Sequence, residues 1–244
     1  MELFSETQVT TTSGLFDGMY VSYLKPVQGV DSYKAVLLLH GFPGWGNKNF
    51  DVAERLALVG YHCFLPHYVG LGHSSGVFTF EESLNSITRL IDNIQNRLGF
   101  SQISCVGHSW GGFVALNIAD RFTQKLLWLS PLVILPEKEK LQMIIADLFA
   151  AHPVDCAAYS PTTLYDTFKS LAATVDYPKV VKHLSNIEVR IIHGLRDTVL
   201  PIDLSKRVAT EIEGADFLAI DDDHSFTINR RDLLAAIEGW FRNA

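Results

Sequence analysis

Short runs of hydrophobic residues recur along the chain, separated by segments rich in glycine and proline. Residues 34–40, Lys-Ala-Val-Leu-Leu-Leu-His, are apolar almost throughout, which is typical of a strand covered on both faces in a parallel sheet. The segment that follows, His40-Gly41-Phe42-Pro43-Gly44, is too rich in glycine and proline to continue the strand. Runs of this kind predict strands at residues 34–40, 61–66, 103–106, 126–130, 188–193 and 215–220.

Segments with hydrophobic residues at helical spacing alternate with these runs. In the longest of them, Leu84, Ile87 and Leu90 begin a single apolar stripe. Thr79 and Glu82, at its start, have the spacing of a capping box. Helices are predicted at about residues 49–59, 79–98, 110–120, 202–213 and 229–241.

This alternation predicts an α/β fold with a mostly parallel central sheet and helices on both faces. The first 30 residues are expected to add a peripheral pair of strands, broken at Asp17-Gly18. Between residues 131 and 186 the alternation stops, and five of the nine prolines lie there. We therefore expect one α/β core formed by residues 1–130 and 187–244. Short helices at 131–186 are predicted to form a lid above the sheet.

The most informative motif is Gly107-His108-Ser109-Trp110-Gly111, which lies between a predicted strand and a predicted apolar helix. A serine at such a sharp turn projects its hydroxyl above the end of the sheet. The glycines let strand and helix approach closely, and the N-terminus of the helix favours developing negative charge. We predict that Ser109 is a nucleophile. The alternative is a glycine-lined turn without a chemical role.

Two further reactive residues follow predicted strands. Asp197 ends the segment Gly-Leu-Arg-Asp, and His224 follows a run of three aspartates. Ligands of an open parallel sheet bind outside the carboxyl ends of its strands, so both side chains are expected near Ser109. There His224 would take the serine proton and Asp197 would orient the imidazole, which is what acyl transfer requires.

The oxyanion formed during acyl transfer needs fixed hydrogen-bond donors. The predicted donors are the backbone N–H groups of Trp110, next to Ser109, and of Phe42, in the loop after the first core strand. Candidates for a substrate pocket are aromatic residues of that loop and of the insertion, with plain packing as their alternative role. They are Trp45, Phe149, Tyr159, Tyr165 and Phe168.

Other histidines and acids compete for these roles. Residues 221–223, Asp-Asp-Asp, are an alternative source of the acid or of metal ligands, but no second set of hard ligands accompanies them. We therefore expect a solvated loop there and no metal. Asp197 has the alternative of being an ordinary loop carboxylate. We expect His108 to pack, His40 to brace the oxyanion loop and His193 to be a satisfied structural histidine.

The order Ser109, Asp197, His224 resembles the catalytic triad of the α/β-hydrolase superfamily. The resemblance covers nearly the whole chain and includes His-Gly-Phe-Pro-Gly, Gly-His-Ser-Trp-Gly, Gly-Leu-Arg-Asp and Asp-His. It implies the α/β-hydrolase fold. Residues 70–76, Gly-Leu-Gly-His-Ser-Ser-Gly, look most like small esterases of the feruloyl-esterase and serine-aminopeptidase-like groups, which carry a short lid. Many of those relatives have Arg where this chain has Val69.

Composition narrows the class of protein and its partners. The 244 residues are 48% hydrophobic, which fits one well-buried domain, and the net charge of −7 without a basic stripe argues against nucleic acid. The basic segment and apolar run that are typical of a signal peptide do not follow Met1. The most apolar segment, residues 126–136, is too short to span a bilayer. The three cysteines match no metal or disulfide pattern and indicate reduced core thiols. We expect a cytoplasmic monomer or homodimer.

The leading hypothesis is a serine hydrolase, specifically a carboxylesterase that cleaves a small ester with an apolar or aromatic acyl group. The same groups would cleave a thioester, an amide or a carbon–carbon bond of a diketone. A lyase or cyclase that uses the pocket for shape and proton transfer is a rival hypothesis. A binding module is another, although a pure binder has no need of a complete triad. A small-molecule substrate and no cofactor are expected.

Overall fold

The computed structural model describes residues 9–26 and 33–242, and within them one sheet dominates the architecture. Its strands run in the spatial order β1-β2-β4-β3-β5-β6-β7-β8. In chain order they are β1 Thr10–Phe16, β2 Met19–Lys25, β3 Lys34–Leu39, β4 His62–Pro66, β5 Gln102–His108, β6 Lys125–Leu129, β7 Glu188–Gly194 and β8 Asp216–Ile220.

The sheet is parallel from β4 through β8, and the first two strands form an antiparallel edge. β3 and β5 are central, with Leu39 paired with Gly107 and Gly107 paired with Trp128 in turn. β1 and β2 meet at the turn containing Asp17 and Gly18, both of which have positive φ. The predicted peripheral pair and parallel core are therefore confirmed.

Helices cover both faces of this sheet. α1 and α8 pack with one face through residues such as Val52 and Leu233, and α2, α3 and α7 cover the other through Ile87, Phe113 and Val208. In chain order the helices are α1 Phe50–Leu58, α2 Phe80–Asn96, α3 Trp110–Asn117, α4 Lys138–Ala151, α5 Pro161–Ala173, α6 Tyr177–Leu184, α7 Ile202–Glu211 and α8 Arg230–Arg242.

The buried strands alternate between two hydrophobic cores. In β3, Leu37 and Leu39 face the core beneath α2 and α3, whereas Val36 and Leu38 face the core beneath α1 and α8. Successive strand side chains point to opposite faces, so a strand covered on both sides must be apolar at every position. This is why the continuous apolar runs in the sequence predict these strands correctly.

A local signal in the sequence sets the start of α2. Thr79 caps α2, and its hydroxyl oxygen accepts a hydrogen bond from the Glu82 N–H at 3.0 Å. Helix α3 ends at Asn117, earlier than predicted, and a single 3₁₀ turn follows at Ala119–Arg121.

No helix in the two described ranges combines the length and apolar character needed to cross a bilayer.

The segment between β6 and β7 contains three helices, α4, α5 and α6. Pro161 is the first residue of α5, and Ser160 caps that helix in a reciprocal capping box with Thr163. Asp176 caps α6 by accepting a hydrogen bond from the Lys179 N–H. Proline at the first helical position explains why a proline-rich stretch still forms regular helices.

Candidate active site

Ser109 lies at the tip of the turn between β5 and α3. Its φ of 52° and ψ of −116° lie in a sparsely populated region, which costs a non-glycine residue about 1–3 kcal/mol. The surrounding backbone holds it there. The Ser109 N–H donates to the Leu129 carbonyl at 3.0 Å, and the Ser109 carbonyl accepts from the N–H groups of Gly112 and Leu132. The turn therefore presents the hydroxyl above the carboxyl edge of the sheet.

The glycines of this turn are required by close approach of neighbouring backbone. A Cβ atom on Gly107 would lie 2.6 Å from the Gly111 carbonyl oxygen. A Cβ atom on Gly111 would lie 2.3 Å from the Leu39 carbonyl oxygen. Both distances are far below van der Waals contact, so α3 packs against β5 and β3 only because these side chains are missing.

The structure brings Ser109, His224 and Asp197 into one hydrogen-bonded chain. The Ser109 Oγ atom lies 2.9 Å from His224 Nε2, and His224 Nδ1 lies 2.7 Å from Asp197 Oδ2. Asp197 follows β7 and His224 follows β8, so three separate strand ends supply the three groups. Their arrangement is the one that activates a serine hydroxyl by an imidazole that a carboxylate orients.

The Asp197 carboxylate is held from both of its oxygens. Oδ1 accepts hydrogen bonds from the backbone N–H groups of Val199 at 2.8 Å and Leu200 at 2.9 Å, and the side chain is fully buried. Burial alone would raise the pKa of this carboxyl. Hydrogen bonds from His193 and His224 outweigh that effect and hold the pKa of Asp197 well below its usual range. The group is therefore an anion at neutral pH.

The loop after β3 positions a backbone N–H beside Ser109. His40 Nδ1 donates to the Gly41 carbonyl at 2.7 Å, and His40 Nε2 accepts from the Tyr68 N–H at 3.3 Å. In a planar trans peptide the carbonyl and the following N–H point in opposite directions. The hydrogen bond to the Gly41 oxygen therefore fixes the direction of the Phe42 N–H. Burial lowers the pKa of His40 to about 3, which keeps the ring neutral for this role.

Gly41 brings this loop into contact with the serine turn. A Cβ atom on Gly41 would lie 3.0 Å from the Ser109 Cβ atom. The Trp110 N–H stands at the free N-terminus of α3, where the helix leaves its first N–H groups unpaired. Within the described ranges, neither the Phe42 N–H nor the Trp110 N–H donates to a protein acceptor. Both are available to a ligand oxygen.

A cavity of about 530 Å³ opens above these groups. Trp45 and Phe168, two of the five aromatic residues predicted to line a pocket, form part of its wall. Trp45 is 54% exposed at the mouth, whereas Phe168 is buried against Phe80 and Trp110. The size suits a small molecule, since ligand cavities typically measure about 300–1,000 Å³.

Phe149, Tyr159 and Tyr165 do not line the cavity, so the prediction for these three is wrong. Tyr159 anchors the start of α2 instead: its hydroxyl donates to Glu81 Oε2 at 2.6 Å and accepts from the Phe80 N–H at 2.9 Å. Phe149 and Tyr165 are partly buried and pack against the hydrophobic core. Packing, the alternative considered for them, describes their surroundings.

Helix α4 forms a wall of the cavity that the sequence interpretation overlooked. Leu141, Ile144 and Leu148 line it, together with Leu132 and Phe80 from outside the helix. The three α4 residues are spaced i, i+3 and i+7, so they lie on one face of a helix. This periodicity is visible in the sequence and identifies an apolar face of α4, although not the cavity that this face lines.

Three charged side chains and a histidine also reach the cavity wall. They are Lys48, Lys140, Asp147 and His152. Lys140 Nζ donates to the Thr198 carbonyl at 2.7 Å, which links α4 to the loop that carries Asp197. The cavity is therefore apolar for most of its surface, with a few polar groups near its rim.

The solvated loop expected at residues 221–223 is correct for Asp221, which is exposed, and wrong for Asp222. Asp222 is fully buried, and its carboxylate accepts hydrogen bonds from the N–H groups of Asp223, Ile228 and Asn229. Asp223 accepts from Ser225 and Thr227, and Asp221 pairs with Arg196. The Asp222 and Asp223 carboxylates replace missing backbone partners in the loop that carries His224, since no regular secondary structure satisfies its N–H groups.

His193 is fully buried and hydrogen-bonded on both sides of its ring, as expected. Nδ1 lies 2.8 Å from the Ser205 hydroxyl, and Nε2 lies 3.1 Å from the Leu200 carbonyl. All three cysteines are buried and free, in agreement with the expected core thiols. Across residues 9–26 and 33–242, no three His, Cys, Asp or Glu side chains form a group that could hold a metal ion.

Known proteins share this architecture. A family model described as the alpha/beta hydrolase fold matches residues 34–129. Proline iminopeptidase from Clostridioides difficile (strain 630) is 30% identical over 112 residues, which are 45% of this chain and 38% of the iminopeptidase. The chain thus matches well under half of the length of that relative.

Two solved esterases match over nearly their full length. Est1E from Butyrivibrio proteoclasticus has a TM-score of 0.72 and 18% identity, covering 96% of this chain and 98% of Est1E. Est1E has also been solved with ferulic acid bound. The esterase EaEST from Exiguobacterium antarcticum has a TM-score of 0.66 and 18% identity, covering 92% of this chain and 95% of EaEST.

The sheet order, the serine turn between β5 and α3, and these matches define the fold. The chain has the α/β-hydrolase fold, as the sequence resemblance predicted. Est1E and EaEST, two esterases, share this fold with the chain.

Proposed function

We propose that this protein is a serine hydrolase, specifically a carboxylesterase that cleaves a small ester with an apolar or aromatic acyl group. The observation that carries the proposal is the hydrogen-bonded chain from Ser109 through His224 to Asp197, of which Ser109 and His224 line a cavity. A fold of this class hosts many activities, so the function rests on this site rather than on the fold.

In the proposed reaction, Ser109 Oγ attacks the ester carbonyl carbon while His224 Nε2 takes the serine proton. The ester C–O bond then breaks, and the protonated His224 returns that proton to the leaving alcohol. An acyl-enzyme on Ser109 remains. A water molecule attacks it in the same way, with His224 again as base, and releases the carboxylic acid. Asp197 stabilises the imidazolium and fixes its tautomer in each half-reaction.

The negative charge that develops on the carbonyl oxygen would be bound by the N–H groups of Phe42 and Trp110. Their lack of a protein acceptor within the described ranges supports this role. One such donor typically contributes about 10²–10³ in rate. The hydrogen bond from His40 to the Gly41 carbonyl supports it further, because a donor that is already oriented loses no free energy in reorganising.

An apolar or aromatic acyl group fits the lining of the cavity. Phe80, Leu132 and Phe168 lie beside the catalytic groups, and the exposed indole of Trp45 lies at the mouth. The ferulic acid bound to Est1E is an aromatic acid, which is the class of product expected here. We also propose that residues 131–186 act as a lid, since α4 supplies one wall of the cavity.

Amide cleavage is the second candidate, favoured by the match to proline iminopeptidase. The same serine, histidine and oxyanion donors serve amide hydrolysis. A substrate with a free amine would need an acceptor in the cavity, and the Asp147 carboxylate on α4 supplies one. Esters of acids without an amino group and aryl amides of free amino acids therefore separate the two candidates.

A fluorophosphonate probe and a substrate panel test the proposal. Rapid labelling of the wild type and none of Ser109→Ala is expected. p-Nitrophenyl esters of increasing acyl length, aryl thioesters and aryl amides of free amino acids should then show the highest kcat/KM for the esters. Esterase activity that survives in purified Ser109→Ala would overturn the mechanism. A higher kcat/KM for the amides would replace esterase with peptidase.

A further inference from the structure

His108 lies between the loop that carries His224 and the loop that contains Gly41. It precedes Ser109 at the end of β5, and it is buried. Its Nε2 atom lies 2.8 Å from the backbone carbonyl oxygen of His224, and the two rings are 5.1 Å apart between centroids. On the other side, a Cβ atom on Gly41 would lie 3.1 Å from His108 Nδ1.

This hydrogen bond fixes the tautomer of the His108 ring. A carbonyl oxygen can only accept, so Nε2 of His108 carries the proton and donates it. Burial lowers the pKa of His108 to about 3, with nearby His224 and Lys48 acting in the same direction. The ring is therefore a neutral donor throughout the pH range in which His224 would act as a base.

Among the described residues, the bond from His108 is the one hydrogen bond made by the His224 backbone, and the other two are made by its side chain. Its imidazole is held at Nδ1 by Asp197 and meets Ser109 at Nε2. The residue lies in the irregular loop between β8 and α8, where no strand ladder restrains its backbone. The Asp222 and Asp223 carboxylates bind the N–H groups on either side of His224, and the bond from His108 is the one that ties the His224 backbone itself to the serine turn.

We infer that His108 is a positioning residue, which ties the backbone of His224 to the serine turn and keeps the base at a fixed distance from Ser109 and from the Gly41–Phe42 loop. This inference rests on the proposed roles of Ser109 and His224. It assigns a function to the residue before the nucleophile, which the sequence interpretation treated as packing. His108 does not touch the reacting atoms.

Two substitutions separate hydrogen bonding from packing. His108→Phe keeps a ring of similar size and removes the donor. His108→Gln loses the ring and places an amide N–H donor near the position of Nε2. We expect His108→Phe to lower kcat by roughly 10²-fold, the scale on which a misplacement of about 1 Å acts, with KM for p-nitrophenyl butyrate unchanged. His108→Gln should recover most of the lost kcat.

His183→Phe is the matched control. His183 Nε2 also approaches a backbone carbonyl, that of Phe122 at 3.3 Å, and His183 lies on α6 outside the cavity lining. This variant removes the same kind of hydrogen bond at a distance from the site. It should keep the wild-type kcat even if its melting temperature falls. Equal losses of kcat in His183→Phe and His108→Phe would mean that general stability explains both, and would overturn the inference.

A second readout needs no substrate. The proton shared by His224 Nδ1 and Asp197 gives a far-downfield NMR signal, and its exchange with solvent reports how firmly the ring is held. We expect faster exchange in His108→Phe than in wild type or His108→Gln. Unchanged exchange together with unchanged kcat would overturn the inference. If the wild type cleaves no ester but the exchange still depends on His108, the proposed function fails while the positioning role stands.

Discussion

His193 and Asp197 are four residues apart in sequence, and their buried side chains lie 3.2 Å apart between Nε2 and Oδ2. His224 approaches the same oxygen from the other side at 2.7 Å. One carboxylate oxygen thus faces two imidazoles, while the other oxygen is bound by two backbone N–H groups. Such saturation leaves Asp197 little freedom to rotate, so it can fix the orientation of His224.

Replacing this carboxylate by an amide should greatly reduce activity while retaining the fold. Asp197→Asn keeps the shape of the side chain and an acceptor for the Val199 and Leu200 N–H groups, but its amide N–H favours the wrong tautomer of His224. We expect kcat for p-nitrophenyl butyrate to fall by about 10⁴-fold, as for triads of this kind. Near-wild-type kcat in a folded variant would show that Asp197 does not orient the base.

The same carboxylate should make stability depend on pH in the acidic range. The pKa of Asp197 is lower in the folded protein than the ordinary value of about 3.9 in an unfolded chain. Its contribution to the free energy of unfolding is therefore complete above that value and is lost as the pH falls below it. Urea unfolding at a series of pH values between neutral and 3 measures this loss.

Asp197→Asn provides the comparison for that experiment. It has no titrating group at this position, so its free energy of unfolding should fall less steeply with decreasing pH than that of the wild type. Parallel curves for the two proteins would mean that the carboxyl titrates equally in the folded and unfolded states.

Two glycine substitutions should change stability in opposite directions. Gly111→Ala forces a Cβ atom to 2.3 Å from the Leu39 carbonyl oxygen, and overpacking of this kind costs about 1–3 kcal/mol or more. Gly239→Ala, in α8, meets no atom within 4 Å and should stabilise the helix by about 0.5–1 kcal/mol. Thermal and urea unfolding measure both. Equal effects of the two substitutions would contradict the close approach of α3 to β3.

Substitutions of Trp45 and of Tyr159 should have different effects on substrate preference. Trp45→Ala removes the indole from the cavity mouth and should raise KM for aromatic esters more than for acetate esters. Tyr159→Phe removes the hydrogen bonds at the start of α2 and should lower the melting temperature without altering this preference. A changed preference between aromatic and acetate esters in Tyr159→Phe would indicate that Tyr159 contributes to the pocket.

The fold and the hydrogen-bonded triad could be predicted from the sequence because each depends on local signals. Continuous apolar runs define strands buried on both faces, and a sheet of such strands gathers the residues that follow them at one edge. Ser109, Asp197 and His224 each lie just after a predicted strand, so their order along the chain and the parallel topology were enough to bring them together.

The cavity could not be predicted in the same way. Its wall depends on how α4 packs over the sheet, and an aromatic residue in the insertion can face the cavity or the core with no difference in local sequence. Phe168 faces the cavity, whereas Phe149 packs against the core. Aromatic content identifies residues that need burial and does not identify the surface they bury.

The burial of charged side chains also could not be predicted from the sequence. Lys125 is almost fully buried at the start of β6, where its ammonium group pairs with Glu188 at 2.6 Å and lies over the Trp240 ring. Asp222 is equally buried in a loop that reads as polar. Lys125 is satisfied by a partner far away in sequence, and Asp222 by backbone N–H groups of its own irregular loop. Neither kind of pairing has a periodic signature.

The α4 wall, the serine turn and the strand-end loops come from separate stretches of the chain. Ser109, Asp197 and His224 all sit on connections of the sheet, whereas Leu141, Ile144 and Leu148 belong to a helix that contributes no group to the triad. Exchange of these three side chains would reshape what the cavity admits, while Lys140 on the same helix would keep its bond to the loop that carries Asp197. The shape of the cavity can thus vary without a change in the groups that lie at the strand ends.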